Sequence, residues 1–225
     1  MLTRIITTAI FAGFITAFAA ALLQFLLVQP LLLQSELYES GALVHFGASG
    51  TGTTAHPDLP GFDPLRDGMS VLFTAIIYTG YAFLLVAGVA LATEQGHEVT
   101  PRTGILWGIA GFVAVQLAPA MGLPPELPGA AAADVAARQV WWFGTVGVTA
   151  LGLWLIAFGK SPVVWAIALL CLAVPHIIGA PHPDTFTGPV PPEIAAHFAA
   201  RALAVGLASW AILGMLSGYF WNKEA

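Results

Sequence analysis

Charge and cysteine are what this chain has least of. Only 8% of its 225 residues are Asp, Glu, Lys or Arg, and Cys171 is the single cysteine. One cysteine excludes an internal disulfide and a Cys₄ metal centre. Seven basic residues without a cluster, in a chain of formal net charge −5, exclude the positive patch that nucleic acid requires. No Walker A loop is present, so any work done on a cargo draws on a gradient, the membrane potential or a partner. What fills the chain instead is apolar: 58% of residues are hydrophobic, more than a soluble core can use and suited to lipid.

The apolar residues are gathered into long runs. Residues 5–33 contain no charge at all, and a membrane helix needs about 20 apolar residues. Further charge-free runs cover 69–92, 104–121, 140–159, 163–178 and 202–220. The expected fold is an all-α polytopic integral membrane protein. It has about six transmembrane helices, read as three consecutive hairpins (about 1–92, 104–159 and 163–221) in one transmembrane domain, with an outer loop at 34–66. The fifth run is short and follows the fourth across only Gly159-Lys160-Ser161-Pro162; a single kinked span there gives five crossings. Arg4, a short apolar stretch and Ala17-Phe18-Ala19 resemble a signal peptide, but the run continues to Leu33, so the first helix is read as uncleaved. The Gly/Thr-rich stretch Gly47–Thr54 is expected to be the softest part of the outer loop.

Sidedness follows from the basic residues. A cytoplasmic N-terminus places Arg4, Arg102, Lys160 and Lys223 inside, and Arg66 and Arg138 outside, with Arg201 just within the sixth helix. The acids then fall mostly outside: Glu36, Glu39, Asp58, Asp63, Asp67, Glu126, Asp134, Asp184 and Glu193, against Glu94, Glu98 and Glu224. An acidic outer face concentrates cations.

The chain also repeats itself. Trp107-x-Ile109-Ala110 and Trp165-x-Ile167-Ala168 open the third and fifth helices, and Pro119 and Pro175 lie near their outer ends. Gly122-Leu123-Pro124 and Gly179-Ala180-Pro181 follow, then Pro124-Pro125-Glu126 and Pro191-Pro192-Glu193, and finally Ala-Ala-Arg ending at Arg138 and at Arg201. Pro/Gly-interrupted helices at matching places in membrane repeats point to a transport site. Arg66, Arg138 and Arg201 are expected to be structural, converging at the outer face and pairing with acids such as Asp67, Glu126, Asp134 and Glu193.

The chemistry concentrates between Pro175 and Arg201. Glu193 and His197 are four apart, about 40° on a helix, so both can reach one ion. His176 ends the fifth helix, while His182 and Asp184 lie in the loop before the sixth. Imidazole with carboxylate suits Co²⁺, Ni²⁺ or Zn²⁺. His176, His182, Asp184, Glu193 and His197 are therefore the expected metal ligands. The quieter alternative is that Glu193 caps its helix or pairs with Arg201, and that the histidines are interfacial or solvated. At mid-depth only Gln24, Gln116 and Cys171, besides hydroxyls and proline-freed carbonyls, could touch an ion. His45, His56 and His97 are weaker candidates in loops, and all six histidines lie at helix ends or in loops, which argues against an axial haem pair. Trp141, Trp142, Trp221 and Tyr219 read as interfacial belts.

The runs P-H-I-I-G-A-P-H-P (175–183), P-P-E-I-A-A-H-F-A-A-R (191–201), R-Q-V-W-W (138–142) and L-T-R-I-I-T-T-A-I-F-A-G near the N-terminus resemble the CbtA family of predicted cobalt transporters. The likeness covers nearly the whole chain. Members are bacterial integral membrane proteins, often described with about five spans. The resemblance implies cobalt uptake at the bacterial cytoplasmic membrane, cobalamin-related regulation, and a small single-span partner with a His-rich end, CbtB. Co²⁺ is then the transported ion, and no permanently bound cofactor and no enzymatic activity are expected. A non-transporting accessory or scaffold role in the membrane is the competing reading.

Overall fold

The computed structural model describes residues 1–45 and 54–223; apart from Thr54, the stretch expected to be softest lies outside them. Every regular element among the described residues is a helix. In chain order these are α1 (Leu2–Leu27), α2 (Gln29–Glu39), α3 (Pro64–Glu94), α4 (Pro101–Phe112), a π-helical turn (Val113–Leu117), α5 (Ala118–Ala120), α6 (Val135–Phe158), α7 (Pro162–Ile178) and α8 (Pro192–Lys223). α4, the π turn and α5 run on as one span, Pro101–Ala120.

Five of the helices are long and apolar enough to cross a membrane: Leu2–Leu27, Pro64–Glu94, Pro101–Ala120, Val135–Phe158 and Pro192–Lys223. α7, at 17 residues, sits at the short end of the spanning range. It is nevertheless separate from α6: Gly159 is extended (ψ 139°) and Ser161 caps α7 by accepting from the Val164 amide at 3.3 Å, so a helical hairpin stands there. The apolar surface is turned outward along both helices, with Val140, Phe143, Leu151, Val163, Leu169, Leu170 and Ile177 all exposed. Outward apolar side chains are what a lipid-facing helix carries.

Helix limits follow local chemistry. Asp63 caps α3 by accepting from the Arg66 amide at 2.7 Å, with Pro64 in the first turn. Asp134 caps α6, accepting from the Ala137 amide at 2.9 Å. Gly179 ends α7 with φ +83°, a conformation that L side chains resist. The first apolar run is divided at Val28, because Pro30 has no amide to donate and its ring crowds the preceding turn. Helix then continues to Glu39, into the stretch where the sequence placed the start of the outer loop. The reason is an inward face: Leu31, Ser35 and Tyr38 recur at helical spacing and are buried.

The chain forms two compact units. The first comprises Met1–Leu26, Gly61–Phe112 and Ala204–Ala225. Its helices meet through small residues. Ala9, Ala12, Thr16 and Ala20 bury one face of α1, and a Cβ on Gly13 would lie 2.6 Å from the Thr79 Cα. Gly104-x-x-x-Gly108 of α4 meets Gly214-x-x-x-Gly218 of α8, backbone against backbone, and a side chain on Gly108 would overlap the Trp210 carbonyl. Without a hydrophobic drive between helices in lipid, such close approach is the main source of cohesion. Trp210, 1% exposed, stacks on Tyr81 with centroids 4.8 Å apart.

The second unit comprises Leu27–Pro60 and Val113–Leu203. Within it α6 lies along α7, with Gly152 against the Ala168 carbonyl and the Cys171 Cβ. The π turn and α5 also pack on α6. Two of its interhelical loops are joined where the Ala131 amide donates to the Thr187 carbonyl at 2.8 Å.

Candidate functional site

The Pro175–Arg201 segment is built around a broken helix end. Pro175 cannot donate to the carbonyl four residues back, and Gly179 turns the chain away after its amide closes on the Pro175 carbonyl at 3.0 Å. The Trp141 indole N–H of α6 donates to that same carbonyl at 3.3 Å. Its ring lies edge-on to the His176 imidazole, centroids 6.4 Å apart and planes at 69°. Gly122 leaves room for this tryptophan, since a Cβ there would come within 2.8 Å of it. The C-terminal end of α7 is thus held by a hydrogen bond and an aromatic contact, while the His176 side chain stays exposed.

Glu193 stands in the first turn of α8 and His197 one turn on, both exposed, while Phe198 is buried. The helical spacing puts the two polar side chains on one face, about 6 Å apart along the axis. His182 and Asp184 are exposed in the connecting loop. Among the described residues, no three or more His, Cys, Asp or Glu side chains lie close enough together to hold a metal ion. Each of the five expected ligands is exposed, and no three of them are drawn into one cluster.

The three arginines have different partners. Arg138 Nη2 is 2.8 Å from Glu126 Oε2, with both side chains about one-third exposed, a pair of modest energetic weight. Arg66 Nε lies 2.8 Å from Asp67 Oδ1 and its Nη2 donates to the Gly61 carbonyl at 2.9 Å. Asp67 is 3% exposed and also accepts from the Asp63 amide at 3.0 Å, so this buried carboxylate ties the start of α3 together. Arg201 donates to the Leu27 carbonyl at 3.2 Å, where the sequence suggested a carboxylate. The cause is the break at Val28: the Leu31 amide turns to the Val28 carbonyl, and the end of α1 needs another donor. Asp134 serves as the α6 cap.

Two features had no clear signal in the sequence. Trp221, grouped above with interfacial belts, is 1% exposed. Thr149, one of many membrane-helix hydroxyls, is buried on the inward face of α6 beside Thr145 and Gly152.

No curated protein and no solved structure matches the chain. A family model, described as probable cobalt transporter subunit (CbtA), matches residues 2–222. With a match over almost its entire length, on a fold of membrane-length apolar helices, the chain belongs to the CbtA family of cobalt transporter subunits.

Proposed function

We propose that the protein is the membrane subunit of a Co²⁺ uptake transporter, and that it captures the cation at its outer face through His176, His182, Asp184, Glu193 and His197. The family match over residues 2–222 carries the reading. The chemistry agrees with it, because imidazole and carboxylate bind Co²⁺ in preference to Mg²⁺ or Ca²⁺. Glu193 and His197 form the fixed half of the capture surface on α8, while His182 and Asp184 approach from the loop and His176 from α7. Ligands gathered only when the ion arrives bind weakly enough to pass it on. Imidazole ligates as the neutral base, so acid outside the cell weakens capture. In this reading the protein lies in the bacterial cytoplasmic membrane with its N-terminus inside, surrounded by lipid, and a small single-span partner with a His-rich end assists delivery. Its role is transport, not catalysis.

One observation favours the accessory reading: the described residues hold no assembled three-ligand cluster. Cellular cobalt, measured with and without expression and in competition with Ni²⁺ and Zn²⁺, decides between the two. A rise in cobalt that disappears in the double variant Glu193→Ala, His197→Ala supports capture at this face; unchanged cobalt on expression makes the protein a scaffold.

A further inference from the structure

The expected mid-depth ligands are not equivalent. Gln24 Oε1 already accepts from the Thr74 hydroxyl at 3.2 Å. Gln116 is different: its Oε1 is buried without a hydrogen-bond partner, in the π turn Val113–Leu117. π turns interrupt the regular hydrogen-bond ladder and recur at functional sites. Pro119, three residues on, has no amide to donate and so interrupts the backbone ladder beside Gln116.

The facing helix carries a matching feature. Thr145 of α6 turns its hydroxyl back to the Trp141 carbonyl at 2.8 Å, the ordinary arrangement in a membrane helix. Thr149, one turn further, does not; its hydroxyl is buried and unpartnered, and the residue is 1% exposed. Gln116 lies about 9 Å below the contact of Gly122 with Trp141, and Thr149 about 12 Å below it, counting 1.5 Å per residue along each helix. They are therefore within one turn of the same level. The Cβ of Cys171 of α7 lies against Gly152, three residues or about 4.5 Å beyond Thr149 along α6, so the thiol stands at the far end of this stretch from Gln116. All three belong to the second unit.

We propose that Gln116, Thr149 and Cys171 form a mid-membrane station for the transported divalent cation. Unpaired polar atoms in hydrocarbon are costly and persist where an ion or water meets them. The amide and hydroxyl oxygens are neutral and release an ion readily, and the sulfur favours Co²⁺ over Mg²⁺ and Ca²⁺. Cysteine ligates as the thiolate, so its proton is released to bulk water as the ion binds and is taken up again as the ion leaves. The proposal rests on the transport reading above and adds where the ion crosses.

Cys171 is the only thiol, so it reports on its own surroundings. The test is its rate of alkylation by N-ethylmaleimide in membrane vesicles, with and without Co²⁺, in the wild type and in Gln116→Leu, Thr149→Val and Thr149→Ser at matched abundance. Saturating Co²⁺ slows alkylation about tenfold in the wild type and Thr149→Ser, and less than about twofold in Gln116→Leu and Thr149→Val. Mg²⁺ slows none of them. An unprotected Cys171 in cells that do take up Co²⁺ overturns the station and leaves the transport reading standing, as does protection that survives Gln116→Leu and Thr149→Val. Protection lost on Gln116→Leu, in a protein whose expression does not raise cellular cobalt, upholds the ion site and overturns the transport reading.

Discussion

The guanidinium of Arg4 lies over the ring of Trp221, 4.0 Å from its centroid, and its Nε donates to the Trp221 carbonyl at 2.9 Å. One cation thus binds both the face and the backbone of a buried aromatic residue. The indole N–H of Trp221 in turn donates to Thr93 Oγ1 at 3.1 Å, and Thr93 donates to the Val89 carbonyl at 2.8 Å. Three helices, α1, α3 and α8, are tied at this point within the first unit.

Trp221→Ala is accordingly expected to lower stability by about 3–5 kcal/mol, the usual loss for a large buried aromatic residue. Arg4→Ala loses the cation–π contact and the carbonyl bond and costs about 1–2 kcal/mol. Thermal unfolding in detergent measures both, and Trp142→Ala, on the partly exposed part of α6, serves as the comparison. Equal losses at Trp142 and Trp221 would contradict the latch.

The α4–α8 contact predicts a sharp contrast among glycines. A Cβ on Gly214 would come 2.7 Å from the Gly108 Cα and closer still to other backbone atoms, so Gly214→Val forces the helices apart and costs about 3 kcal/mol or more. Gly147 of α6 has nothing within 4 Å of the same atom, and Gly147→Ala is neutral or slightly stabilising. Yield of folded protein by gel filtration reads the difference directly.

For cation capture, Glu193→Ala and His197→Ala should each reduce Co²⁺ uptake several-fold at unchanged membrane abundance. Losing one ligand of a metal site costs affinity on the order of tenfold or more. His97→Ala should leave uptake unchanged, since His97 is exposed beyond the end of α3, away from this segment in sequence. Radioactive cobalt accumulation, set against an immunoblot of the membrane fraction, is the measurement. Undiminished rates in both Glu193→Ala and His197→Ala would remove α8 from the capture surface.

Topology supplies a further prediction. With a cytoplasmic N-terminus, cysteines introduced at Gly50 and Asp184 in a Cys171→Ser background are labelled from outside by an impermeant reagent, and one at His97 only after permeabilisation. Labelling of Gly50 and Asp184 from opposite sides would refute the arrangement.

Much was legible in the residues alone. Charge-free runs longer than a bilayer is thick point to membrane helices, whereas the capping by Asp63, Asp134 and Ser161 emerged only with the structure. Proline at positions 30, 119 and 175 disturbs the backbone locally, and its effects appear at Val28, in the π turn and at Gly179. The runs at 175–183, 191–201 and 138–142, with the N-terminal run, pointed to the family that the match over residues 2–222 shows.

What only the tertiary structure decided is the rotation of each helix about its own axis. In water an amphipathic stripe announces the buried face, but here lipid and protein interior are equally apolar, so the sequence pattern does not distinguish them. Nothing in the run around Trp221 separates it from Tyr219, yet one is 1% exposed and the other 47%. Thr145 and Thr149 look alike in sequence, and only packing against neighbouring helices leaves the second hydroxyl buried and unpaired. Arg201 found the carbonyl of Leu27, 174 positions earlier in the chain, because the break at Val28 left it without its helical donor, a relation that exists only once the chain has folded.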